Sequence, residues 1–155
     1  MIIAIATETT GVPLWSYPDP YCPAQVSAWP RLVSVAWQVL KSESCTSPQE
    51  WIAKPDGFQI PESASQIHGI STEKANKVGT PLKKILDQLY NIIRKTEKNT
   101  IVLAAYNYEF DFGVLAAECT RSKHPLGPLL KDHVEWQCIV SLVFVSFIVF
   151  YDKGT

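Results

Sequence analysis

Hydrophobic residues open the chain as an unbroken run, Ile2-Ile3-Ala4-Ile5-Ala6. Such a run, closed by the turn formers Thr9-Thr10-Gly11 and Pro13, predicts a short strand buried on both faces. Residues 14–30 follow with little period, several prolines and the aromatics Trp15, Tyr17, Tyr21 and Trp29. They predict a long ordered loop with its aromatics packed beneath it. From 33 to 39 the pattern turns to period two, Val33, Val35, Trp37 and Val39 alternating with Ser34, Ala36 and Gln38. That alternation predicts a second strand. A short third strand is expected over 50–54, and the opening strands form an antiparallel meander.

Beyond residue 80 the period lengthens. Leu82, Ile85, Leu86, Leu89, Ile92 and Ile93 recur at three- and four-residue steps, opposed by Lys83, Lys84, Asp87, Gln88, Asn91 and Lys95. The pattern predicts an amphipathic helix over 81–95, capped by Thr80 and opened by Pro81. Another doubly buried strand is expected at 100–106, a helix at 107–122 and a final short strand near 134–138. Strands giving way to strand–helix alternation define an α/β fold with a mixed sheet and flanking helices.

At 155 residues and 46% hydrophobic content, the chain suits one globular domain with a real core. Its formal net charge of −1 provides no bulk attraction to nucleic acid, so such a partner must be held by a local site. Cys22, Cys45, Cys119 and Cys138 lack the paired spacing of a zinc or redox motif. Reduced thiols in an intracellular protein, nuclear or cytoplasmic, are expected. Residues 139–151 are almost wholly apolar, yet too few for a membrane span of roughly 20 residues, and no membrane partner is expected. The chain thus divides into a domain over 1–138 and an atypical apolar tail over 139–155.

Two acids stand where chemistry is expected. Glu8 sits where the first strand leaves the sheet, the place at which open α/β sheets bind ligands. Asp111 lies in the first turn of the helix after the strand at 100–106. Asn107 is placed to cap that helix, Phe110 to pack inward, and Asp111 to aim its carboxylate toward Glu8. Glu109, two residues earlier, is rotated away from it. Positions 6 and 8 share a strand face.

The string Ala6-Thr7-Glu8-Thr9-Thr10-Gly11 resembles Asp-Thr-Glu-Thr-Thr-Gly, the first motif of the DEDD superfamily of 3′-5′ exonucleases in its proofreading-subunit-like branch. Alanine stands in place of the first catalytic Asp. Tyr106-Asn107-Tyr108-Glu109-Phe110-Asp111 resembles the second motif, His-Asn-x-x-Phe-Asp, with Tyr106 for the His. Residues 30–37 resemble the family's second strand, and Ile67-His68-Gly69-Ile70-Ser71-Thr72 its His-Gly-Ile-Thr segment. The last motif, a His five or a Tyr four residues before an Asp, has no counterpart after Asp111.

This resemblance implies a ribonuclease-H-like fold with its last helix missing or altered. It implies two-metal phosphodiester hydrolysis with Mg²⁺ or Mn²⁺, and Glu8 and Asp111 as catalytic and metal-binding acids. Thr9, Val12, His68, Asn107 and Phe110 are the implied substrate contacts. The implied partner is single-stranded or 3′-terminal nucleic acid, with room for a polymerase or other protein. With Ala6 and no last motif, the expected chain is truncated, binds metal weakly and is impaired in hydrolysis; the alternative is a catalytically dead nucleic-acid-binding or protein-interaction remnant.

Overall fold

The computed structural model describes residues 1–16, 18–41, 44–98 and 100–138. Expectations for Tyr17 and for 139–155, including the altered last helix and the apolar tail, lie outside the described residues. Six strands form one mixed sheet: β1 (Ile2–Thr9), β2 (Leu32–Lys41), β3 (Ser44–Cys45), β4 (Gln49–Ile52), β5 (Val102–Ala105) and β6 (Glu135–Cys138). Their order is β3-β2-β1-β5-β6, with β4 also paired to β2. The β1–β2 pair is antiparallel, whereas β1, β5 and β6 run parallel. The ribonuclease-H-like arrangement is the expected one.

Among the described residues five α-helices complete it: α1 (Glu62–His68), α2 (Thr72–Val78), α3 (Leu82–Ile93), α4 (Tyr108–Ser122) and α5 (Leu126–Asp132). Ile3 and Ile5 of β1 face the same side as their β2 partners Val39 and Trp37, and there α3, α4 and α5 supply Ile85, Leu89, Leu115, Leu126 and Leu130 to the main core. On the other side, Ile52 and Val33 join Ile60, Ala64, Ile70 and Ala75 in a smaller cluster that seats α1 and α2. A register shift between Glu8 and Thr9 leaves Val33 without a partner on β1. This bulge turns Leu32 into the main core and Val33 into the smaller one.

Several local expectations are corrected. β1 is buried on one face only: Ile3 and Ile5 are 0% and 4% exposed, while Ile2 is 40% exposed and Ala6 is open to solvent. A strand whose second face carries Ala4, Ala6 and Glu8 has no core to meet there. The ladder of β1 to β2 runs through Thr9, one residue into the expected turn, because a β-branched Thr suits a strand as well as a turn. Thr80 does not cap α3. Its N–H donates to the Ile52 carbonyl at 2.8 Å and its carbonyl accepts from Lys54 N–H at 2.9 Å, so Pro81 occupies the cap position. Asn107 likewise contributes no side-chain cap to α4; its backbone carbonyl accepts from Phe110 and Asp111 N–H at 3.0 and 3.1 Å.

Within the loop at 14–30, Trp29 is buried and donates its indole N–H to the Pro18 carbonyl at 2.8 Å. Tyr21 packs against Phe112, their ring centroids 5.9 Å apart. Trp15 instead is 52% exposed, so the expectation of buried aromatics holds for two of the three described.

Candidate functional site

The parallel strands β1 and β5 part before β1 ends. β5 pairs with β1 only over Ile2–Ala4, so beyond that point the backbone of β1 lacks a strand neighbour on the β5 side. Asp111, in the first turn of α4, fills the gap. Its Oδ1 accepts from Thr7 N–H at 2.9 Å and from Thr7 Oγ1 at 2.7 Å. A carboxylate thereby takes the ladder position of a missing carbonyl, within reach of the Glu8 charge, at the carboxyl ends of parallel strands, the end at which open α/β sheets bind ligands.

Burial sets the electrostatics. Asp111 is 6% exposed, and its carboxyl is pushed up to about 6, chiefly by desolvation, with the Glu8 charge adding to it; the two Thr7 hydrogen bonds pull the other way. Asp111 therefore keeps its proton to a higher pH than a free aspartate does, mainly because it is buried and to a smaller extent because Glu8 is near.

The other expected residues divide into near and far. Thr9 is buried, its hydroxyl donating to the Gly11 carbonyl at 2.6 Å, which shapes the exit of β1. Val12 follows at 77% exposure. Asn107 is exposed and Phe110 half-buried at the head of α4, the Phe110 ring tilted against Trp29 at 6.5 Å. His68 is buried at the end of α1, where Nδ1 accepts from Ile70 N–H at 3.2 Å. Gly69, at φ +73°, turns the chain there into α2. Since Ile52, Ser34 and Glu8 are in register across the sheet, the α1–α2 pair lies on the Glu8 face. Tyr106, where the resemblance expects a His, is 76% exposed just after β5.

Thr7 was not among the expected site residues. The available signal was its alternation with Ile3 and Ile5: a hydroxyl on the core face must find a partner.

The donor set does not fit a two-ion centre. Among the described residues no group of three or more His, Cys, Asp or Glu side chains could hold a metal ion, and Ala6 presents a methyl group on the face of Glu8. Glu8 and Asp111 bring two carboxylates, too few to hold a pair of hard cations by themselves. All four cysteines are free, and no helix of the described residues is long and apolar enough to cross a membrane.

No protein-family pattern and no curated protein sequence matches the chain. Solved structures do. The zinc-bound complex of E. coli exonuclease I with single-stranded DNA aligns at a TM-score of 0.68 and 16% identity, over 92% of this chain and 28% of that one. E. coli exonuclease I with a dA13 oligonucleotide aligns at 0.69 and 16%, over the same shares. A moderately thermophilic exonuclease I from Methylocaldum szegediense aligns at 0.65 and 17%, over 92% and 28%. The chain spans less than a third of the length of these proteins. What the likeness establishes is the fold, the mixed α/β, ribonuclease-H-like architecture of the exonuclease I nuclease.

Proposed function

We propose that this chain is a 3′-5′ exonuclease-type domain that grips the 3′ end of single-stranded nucleic acid and is impaired in hydrolysis. The observation that carries the reading is Asp111 locked to Thr7 beside Glu8, at a strand-end crevice of an exonuclease-like fold. Thr9 and Val12 line the exit of β1, His68 stands on the same side as Glu8, and Asn107 and Phe110 open α4. Exonuclease I structures solved with oligonucleotides support the choice of a single strand. The impairment rests on Ala6 and on the lack of a third ligand among the described residues.

The test is Ala6→Asp. Titration with Mn²⁺ is expected to show weak binding by the parent chain and at least about tenfold tighter binding by the variant, since a third carboxylate adds charge and denticity. A labelled oligonucleotide with a free 3′ end should bind both proteins, while release of mononucleotides by the parent stays at background. Unchanged Mn²⁺ affinity in Ala6→Asp overturns the metal assignment. Robust hydrolysis by the parent, abolished by Glu8→Ala, overturns the impairment.

A further inference from the structure

A second feature lies about 10 Å further along α4, seven residues from Asp111 at 1.5 Å per residue. There a cleft of ≈ 460 Å³ opens between the start of β2, the segment after β4 and the ends of α3 and α4. Arg31 dominates it. The Arg31 Nε donates to Glu118 Oε1 at 2.8 Å, and the guanidinium carbon stands 4.3 Å over the Phe58 ring centroid. Those two contacts fix the plane of the guanidinium. Its terminal nitrogens, Nη1 and Nη2, meet no acceptor among the described residues.

The surrounding charge is unbalanced. Arg31, Lys54, Lys83 and Arg121 line the cleft against only Asp56 and Glu118. Arg121 is committed, donating to Glu118 Oε1 at 3.1 Å and to the carbonyls of Pro30, Val26 and Trp29. Its charge stays while its donors are spent. Lys54 and Lys83 are exposed at the rim, and the Lys83–Asp87 pair at 2.9 Å is a solvent-facing contact that a stronger anion can displace.

We propose that this cleft binds a phosphate dianion, either inorganic phosphate or the phosphomonoester of a small molecule. A rigid guanidinium fork takes two oxygens of one anion. A carboxylate or a phosphodiester brings a single negative charge to this cationic excess, whereas a phosphate dianion brings two, with a third terminal oxygen for the lysines while the fork holds the other two. The inference stands without the exonuclease reading, since neither Glu8 nor Asp111 takes part.

The test is titration of the full chain at constant ionic strength, followed by ¹⁵N NMR of the Arg31 Nε–H. Probes are inorganic phosphate, 5′-AMP and an oligonucleotide with hydroxyls at both ends. Phosphate and 5′-AMP are expected to saturate one site with Kd below roughly 10 mM, shifting the Arg31 signal. Equal affinity identifies phosphate as the ligand; tighter 5′-AMP identifies a nucleotide monoester. Arg31→Lys should weaken binding about tenfold, because an ammonium cannot form the fork. Should that variant unfold, Lys54→Ser with Lys83→Ser, both exposed, should weaken it several-fold, while Lys77→Ser, exposed on α2 and outside the cleft, should leave it unchanged. Absence of saturation, indifference to both the Arg31 and the lysine changes, or displacement of phosphate by the hydroxyl-ended oligonucleotide at equal affinity overturns the proposal.

Discussion

Asp111→Asn isolates the charge that the crevice finds hardest to hold. Moving a carboxyl from 3.8 to about 6 disfavours its ion in the folded state by about 3 kcal/mol, at about 1.4 kcal/mol per pH unit. The sign follows from proton counting. Between pH 4 and 6 the folded chain keeps a proton that the unfolded chain has lost, so stability is greatest below this window and declines as pH rises through it. Asparagine retains an oxygen acceptor for Thr7 N–H and Oγ1 and removes the charge. Urea unfolding in chelator at pH 7.5 should therefore show Asp111→Asn more stable than the parent by about 2–3 kcal/mol. The gap should close near pH 4, and Mn²⁺ should narrow it at pH 7.5 by stabilising only the parent. A gap of equal size at both pH values, or a less stable variant at pH 7.5, would refute the assignment of Asp111 as a strained acid.

Two further substitutions probe the frame around the crevice. A Cβ at Gly113 would overlap the buried ring of Trp29, so Gly113→Ala should cost about 3 kcal/mol in thermal or urea unfolding; a neutral change would show that α4 is free to shift. Glu118→Ala strands Arg121 and the Leu32 N–H and should cost about 3–5 kcal/mol. Glu118→Gln keeps the shape and an acceptor and should cost clearly less, and equal losses would place the effect in the lost charge rather than in packing or hydrogen bonding.

Strong periodicity made the scaffold legible. The 3.6 period of Leu82 to Ile93 and the alternation of Val33 to Val39 reflect single buried faces, and both elements stand where expected. Short elements with broken patterns were not. α1 and α2, each seven residues, bury few apolar side chains and leave Ile67 and Val78 exposed. α5 is disguised by Pro125, Gly127 and Pro128, although proline is tolerated in a first turn and Gly127 lets the helix approach Cys119. The placement of Glu8 near the end of β1 and of Asp111 in the first turn of α4 was readable from motif and pattern. Their linkage through Thr7 was not, because it depends on where β5 stops pairing with β1, a tertiary fact with no local signature. Arg31 gave no signal either; its unused donors exist only once Phe58 and Glu118 are brought to it.

The unequal sizes of the two apolar clusters bear on how the domain opens. α3, α4 and α5 rest on the main core, whereas α1 and α2 are held mainly by Val33, Ile60, Ala64, Ile70 and Ala75, two of them alanines with little area to bury. Local unfolding of 62–78 therefore requires less free energy than release of the sheet. Amide hydrogen exchange should separate the two, with α1 and α2 losing protection before β1 and α4, and a bound oligonucleotide slowing the former more. His68 then belongs to the segment that yields and Asp111 to the part that does not; on the proposed exonuclease-type reading, a strand end would enter by admission through the weaker side while the acid stays fixed.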